Sequence, residues 1–330
     1  MNVLIPDINI SFVSCALPES RLDLLSLASL YGATEIKRII SSTGISRVAV
    51  AKPLQTASDL CASAAENIFN YRSDLRKDID AIIFVSQTPD KRLPATSVLL
   101  QKRLSLLSHI TAFDINYGCS GYIYGLFQAA LLIHARAAKR VLICAGDTIT
   151  HHINPLDRAV RLVFGDAGSA TIVEEGMNTL FFSIHTDGSG ADSLFADFGG
   201  DLHMNGKAMM EFALDKVPHC VNEVMKMTEW KKEKIGSFIF HQANEFMLNY
   251  LRKKMRLDKK SVPVSMQSIG NTGPASIPCA LILKKEFLQT ENRLEKSILC
   301  GFGVGFSYGA VGVNLSQTIF LPFVNNKITV

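Results

Sequence analysis

Short runs of consecutive apolar residues alternate along the first half of the chain with longer stretches whose apolar positions recur every three to four residues. Residues 9–16 alternate weakly between apolar and polar and predict a first strand. Residues 21–40 have helical spacing, and Ser41-Ser42-Thr43-Gly44 reads as the helix end. Residues 57–69 predict an amphipathic helix of small residues, suited to close packing on a sheet or on another helix. The uninterrupted run at 80–86 fits a strand buried on both faces. Residues 87–94, with two prolines and mixed charge, predict a loop. A helix through Leu107, a strand into Asp114, a helix after Gly121 and a buried strand at 140–145, closed by Gly146-Asp147, complete the series. Such alternation predicts an α/β protein with mainly parallel strand pairing.

After a turn at 164–170 and a strand at 171–173 the same grammar restarts. A strand at 181–186, a glycine-rich loop at 188–200 and a long helix at 206–227 lead to the apolar run 237–240. That run echoes 81–84, and 297–300 (Ser-Ile-Leu-Cys) echoes 141–144 (Val-Leu-Ile-Cys). Two similar halves, 1–172 and 173–330, are therefore expected. No linker or low-complexity segment separates them, so they should share one core.

Composition narrows the class. With 330 residues, 48% hydrophobic and 19% charged, the chain can bury a large core and is not disordered. A net charge of +4 does not point to nucleic acid, although a local basic patch could meet an acidic partner. The first ten residues lack the basic region of a secretory signal, and no apolar run reaches membrane-spanning length. Seven cysteines, odd in number and without C-x-x-C spacing, argue for reduced thiols in a cytoplasmic setting and against a disulfide framework or zinc site.

One of them, Cys119, lies in Asp114-Ile-Asn-Tyr-Gly-Cys-Ser-Gly121, at the predicted strand-to-helix turn. A helix N-terminus favours thiolate over thiol, which suits a nucleophile. Free cysteine is also among the most buried and inert residue types, so this stretch alone leaves both readings open. Three other segments concentrate polar groups at predicted strand ends. His241-Gln242-Ala243-Asn244 follows the strand at 237–240, where open parallel sheets place their ligand sites. Ser268 to Ser276 forms a rigid turn presenting Asn271. Gly301-Phe-Gly-Val-Gly-Phe-Ser-Tyr-Gly309 lets backbone N–H groups approach a ligand.

Cys119, His241 and Asn271 in this order, with the closing G-F-G-x-G-x-S-x-G-A, resemble the thiolase superfamily, and within it the β-ketoacyl-acyl-carrier-protein synthase III group of condensing enzymes. Thr43-Gly44-Ile45, Asp114 five residues before the cysteine, Asn154-Pro155-Leu156-Asp157-Arg158 and Phe164-Gly165-Asp166 extend the match over nearly the whole chain. The resemblance implies a five-layered αβαβα fold of two related halves, a homodimer and an active site at the base of a narrow tunnel. It implies that Cys119 carries the acyl group as a thioester, with the backbone N–H groups of Cys119 and Val304 as oxyanion hole. His241 and Asn271 would stabilise the enolate left when malonyl-acyl carrier protein loses carbon dioxide. Acyl-CoA and malonyl-acyl carrier protein enter as substrates, and no cofactor or metal is implied.

The chain departs from the family pattern in several places. Where a Trp and an Arg often precede Thr-Gly-Ile, it has Arg38 and Ser42, so the usual clamp on the adenine of coenzyme A is incomplete, while Arg158 is kept. Lys207 replaces an Asn near the tunnel, Leu93 stands where a Phe commonly limits the acyl pocket, and Phe306 belongs to the closing motif on the substrate side. Phe246 replaces an Arg that meets the carrier protein, leaving Lys253 and Lys254 as the basic residues on that helix. Two alternatives stand beside the condensing enzyme. One is an offshoot passing the acyl group from Cys119 to an oxygen or nitrogen acceptor, which Asn271 in place of an acid disfavours. The other is a non-enzymatic supporting subunit, disfavoured because Cys, His and Asn are all present.

Overall fold

The computed structural model describes residues 1–197 and 199–326. Its frame is two mixed sheets with two apolar helices between them. The first sheet has seven strands, among them Ile8–Pro18, Ala167–Glu175, Arg140–Asp147, Ala81–Val85 and Thr111–Ile115 in that spatial order. The second has five, ordered Asn2–Ile5, Leu180–Thr186, Ser307–Val313, Ser297–Gly303, Ser237–Phe240. Helices Gly121–His134 and Ser276–Leu283 pack against strands of both sheets, which explains why their sequences are apolar on all sides. Ala57–Tyr71 covers the outer face of the first sheet and Gly206–Thr228 that of the second. Helix, sheet, helix pair, sheet and helix make the five layers of the thiolase-like fold.

Strand pairing shows how the halves correspond. Ala81–Val85 pairs in parallel with Arg140–Asp147, setting Phe84 opposite Cys144. Ser237–Phe240 pairs in parallel with Ser297–Gly303, setting Phe240 opposite Cys300. The echoed sequence runs thus occupy the same register in the two sheets. The ends of the chain cross over: Asn2–Ile5 joins the second sheet, while Ile319–Phe320 and Val324–Asn326 join the first. The boundary expected after residue 172 falls within the strand Ala167–Glu175.

Two expectations need correction. Pairing is not mainly parallel. Ala167–Glu175 runs antiparallel to both of its neighbours, as does Ser307–Val313, which returns from Ser297–Gly303 through the short turn 304–306. Residues 21–40 are also not one helix. Ser20–Asp23 pairs antiparallel with Arg47–Val50, and helix Ala33–Thr43 begins only after Gly32. Apolar positions that suit a helix here serve a short two-stranded ribbon, a tertiary pairing that local periodicity does not register.

Leu126, at no measurable exposure on the central helix, touches the core shared by both sheets. Leu126→Ala is expected to lower unfolding free energy by about 2–5 kcal/mol in denaturant titration.

Candidate active site

Every element that brings a functional side chain to the centre ends there at its carboxyl end or in the turn that follows. Thr111–Ile115 leads to Cys119. Asp114 accepts hydrogen bonds from the backbone N–H groups of Thr96 and Ser97 (2.7 and 2.8 Å), satisfying the first turn of helix Thr96–Arg103 and fixing the strand before the cysteine. Ser120 Oγ lies 2.6 Å from Ser307 Oγ, tying the start of the central helix to the second sheet. The loop after Ser297–Gly303 comes so near that a side-chain carbon on Gly303 would sit 2.6 Å from Cys119 Cβ. Only glycine permits that approach.

Ser237–Phe240 delivers His241, whose backbone N–H bonds to Cys300 (2.8 Å) and whose Nδ1 lies 2.7 Å from Ser276 Oγ. Asn271 is fixed by a parallel bridge to Phe164: its N–H donates to Val163 O and its carbonyl accepts from Gly165 N–H. Its side-chain oxygen accepts from Gly273 N–H at 3.1 Å, which turns the amide NH2 end toward Cys119. Gly273 itself adopts φ +55°, a conformation that glycine reaches without strain. The cavity at Cys119, about 20 Å³, is lined by Gln87, Gly118, Asp147, Ile149, Phe164, Leu194, Leu202, Gly273 and Val304.

Burial governs the electrostatics. It pushes the Cys119 thiol up to about 12, with the Asp147 charge adding to it and a hydrogen bond from Asn271 opposing. The thiolate expected from the helix N-terminus is therefore not the resting state, because desolvation outweighs the dipole. His241 is pulled down to about 3 by the same burial, against a hydrogen bond with the Gly273 backbone, and is a neutral imidazole. Asp147 is raised to about 7 although Ser86, Gln87 and Thr88 all donate to it.

Of the residues expected from sequence, Cys119 and Val304 line the cavity together, Asn271 lies near enough to oppose the rise in the Cys119 thiol, and both Asn271 and His241 are tied to Gly273. Arg38 and Arg158 meet on a single carboxylate, Glu35: Arg38 Nη2 at 2.8 Å and Arg158 Nη1 at 3.2 Å, both largely exposed. The remaining expected residues are not among those lining the cavity. Leu93 is 80% exposed on its loop, turned to solvent instead of the acyl site of its own chain. Lys207 is exposed in the first turn of Gly206–Thr228 and faces Glu211 at 3.9 Å. Phe306 stacks on Phe212 (4.3 Å) against Gly190. Lys253 lines a surface cleft of about 490 Å³ with Ser41, Ser42, Phe246 and Tyr250, and Lys254 follows it at the helix end. Among the described residues no cluster of three or more His, Cys, Asp or Glu could hold a metal ion, and no helix is long and apolar enough to cross a membrane.

Sequence reasoning missed Ser276, Gln87, Asp147 and the apolar walls Ile149, Leu194 and Leu202. Asp147 carried a usable signal, since it closes a buried strand at the same end as His241. The walls did not, because their separation in sequence hides their convergence.

Comparison with known proteins places this arrangement. Residues 113–188 match the family model of 3-oxoacyl-[acyl-carrier-protein (ACP)] synthase III, and residues 225–315 match the model of its C-terminal part. The β-ketoacyl-[acyl-carrier-protein] synthase III of Clostridium perfringens is 33% identical over 84% of this chain and 90% of its own. That of Agrobacterium fabrum is 31% identical over 83% and 88%. A crystal structure of 3-oxoacyl-(acyl-carrier protein) synthase from Burkholderia xenovorans superposes with a TM-score of 0.93 at 34% identity, over 98% of this chain and 99% of the other.

Gly303→Ala is expected to leave the fold intact by circular dichroism but to slow acyl-adduct formation at Cys119 on the order of a hundredfold, because the added carbon displaces the thiol.

Proposed function

The chain belongs to the 3-oxoacyl-[acyl-carrier-protein] synthase III family of condensing enzymes, and from that we propose the following reaction. Cys119 takes an acyl group from a primer thioester, and the enzyme condenses it with malonyl-acyl carrier protein to give a 3-oxoacyl-acyl carrier protein in fatty-acid or specialised acyl biosynthesis. The observation that carries this reading is a buried thiol in a small cavity, with an amide donor and a neutral imidazole both held at Gly273, which lines that cavity.

The first step forms the Cys119 S–acyl bond and breaks the primer's C–S bond. The Cys119 proton leaves with the departing thiol, so a resting thiol loses no catalytic competence. Negative charge on the carbonyl oxygen rests on the N–H groups of Cys119 and Val304. In the second step the malonyl carboxylate leaves as carbon dioxide, and the enolate oxygen accepts hydrogen bonds from Asn271 and His241. With Ser276 Oγ, 2.7 Å from Nδ1, acting as donor, the His241 proton sits on Nε2, which makes that nitrogen the donor to the enolate. Neutral donors stabilise the enolate without protonating its carbon. The carbanion then attacks the acyl-cysteine, and the released thiolate regains a proton. The scheme uses only these side chains and the thioester substrates, with no metal or other cofactor.

Further parts of the reading concern partners. Arg38 and Arg158 flank Glu35 at the surface and offer guanidinium groups to the phosphates of coenzyme A once that carboxylate is shared. Lys207, exposed, is assigned to the same entry side. Lys253 and Lys254, beside the exposed Phe246–Tyr250 pair (4.7 Å apart), form the contact for an acidic carrier protein. The enzyme works as a cytoplasmic homodimer.

Intact-protein mass after exposure to acyl-CoA or acyl-carrier protein is expected to show one adduct on Cys119; no adduct with any donor overturns the reading. Asn271→Ala is expected to abolish malonyl decarboxylation while Cys119 still acylates. Decarboxylation by enzyme with Cys119 blocked should show no acid limb from His241 above about pH 5, since the folded imidazole titrates near 3. The sign for stability is opposite. The unfolded chain protonates this histidine near 6.5 and the folded one does not, so the His241 contribution to stability falls as pH drops below that value.

A further inference from the structure

Asp147 closes the strand Arg140–Asp147 inside the condensing cavity, beside Cys119. The role proposed above for Cys119, His241 and Asn271 leaves it unused. Its exposure is 3%, and a buried carboxylate without a task would be replaced at a gain in stability. Its contacts give it a task. Oδ1 accepts from Gln87 N–H at 2.7 Å, Ser86 Oγ at 2.8 Å and Thr88 Oγ1 at 3.2 Å, so one oxygen gathers the whole strand-end loop. Thr88 Oγ1 in turn accepts from Thr148 N–H at 2.9 Å. The loop so held sets the Gln87 amide against Gly118, where a side-chain carbon would lie 2.2 Å from Gln87 Oε1. Gly118 is the residue before the nucleophile.

The other oxygen, Oδ2, faces Gly273, 2.9 Å from where a side-chain carbon would be. Gly273 is the residue whose N–H orients Asn271 and whose backbone bonds with His241. Asp147 therefore lies beneath both halves of the site, the nucleophile turn and the donor pair.

We propose that Asp147 is a positioning residue of the condensing site, clamping the Ser86–Thr88 loop under Gly118 and setting, through its charge, the pH at which Cys119 reacts. The inference rests on Cys119 being the acyl-carrying thiol. Its electrostatic half follows from burial. An anion and a thiolate enclosed in the same dry cavity repel, so the carboxylate holds the neighbouring thiol in its protonated form until substrate arrives. The titratable groups facing Asp147 are Cys119 from the start of the central helix and Cys61 from helix Ala57–Tyr71, both pushed up chiefly by burial, with the Asp147 charge adding to it. The adjoining Asp166 is turned away onto Ala51 N–H and Thr150. The Ser86–Thr88 loop contributes hydroxyls and amides, and His241, across Gly273, is neutral. Asp147 itself is raised to about 7, so its charge changes within the physiological range.

The test is the pH profile of Cys119 alkylation by iodoacetamide, followed by mass mapping of the peptide that holds it, in wild type and Asp147→Asn. The amide keeps the acceptor for the loop and removes the charge. The profile is expected to move to lower pH and the rate at fixed neutral pH to rise several-fold, a tenfold rise corresponding to one pKa unit. Ser86→Ala removes one donor to the carboxylate, raises its proton affinity and is expected to shift the Cys119 profile the same way by less; it serves if Asp147→Asn fails to fold. Superimposable profiles in the folded variants overturn the proposal, as does a shift to higher pH. Alkylation needs no acyl donor, so failure of this inference is distinguishable from failure of the condensing assignment, which the acyl adduct on wild-type enzyme reads separately.

Discussion

The geometry of the site depends on one close approach: the Gly303 backbone pressed against the β-carbon of Cys119. That contact joins the turn of the first sheet to the hairpin of the second across the central helix layer, and nothing larger than glycine fits between them. It sets Cys119 and Val304 on the wall of one cavity. The two halves need not merely resemble one another. They must meet face to face at the carboxyl ends of their strands, and the two apolar helices between the sheets hold them at that spacing.

Closure sets the chemistry. A solvated cysteine at a helix N-terminus would rest partly as thiolate, and a solvated histidine would be partly protonated. Enclosed here, the thiol keeps its proton, the imidazole is neutral, and a carboxylate nearby is brought close to neutral pH. One cause, loss of water, moves all three toward their uncharged forms. A site of neutral donors is suited to hold an enolate oxygen without delivering a proton to its carbon.

Much of this was legible in the chain. Apolar runs located most strands, and the glycine and asparagine turns located the segments that carry His241, Asn271 and Val304. The echo between 81–84 and 237–240 pointed to two similar halves, and in the structure Phe84 and Phe240 each stand opposite a cysteine. What escaped was relational. Residues 20–23 find a strand partner only through the tertiary fold, and antiparallel returns look like parallel strands when read one at a time. The helix dipole was legible at Cys119, but the depth of burial that overrides it depends on residues as far along the chain as Gly273 and Val304. Leu93, Lys207 and Phe306 show the limit of transfer by position. Each occupies a motif-adjacent place, and its position in the fold is set by contacts that the motif does not carry: Leu93 is exposed, Lys207 faces Glu211 and Phe306 stacks on Phe212. Arg38 and Arg158, by contrast, 120 positions apart, converge on Glu35.

The account's central claim is that the acyl group on Cys119 is discharged onto a carbanion made by decarboxylation. The most direct test is a single turnover of isolated acyl-Cys119 enzyme with malonyl-acyl carrier protein labelled in the free carboxyl. The adduct should disappear with release of one labelled carbon dioxide per site, and the carrier protein should gain the mass of the corresponding 3-oxoacyl group. An adduct that persists with malonyl-acyl carrier protein, yet discharges onto an alcohol or amine without loss of label, would contradict it.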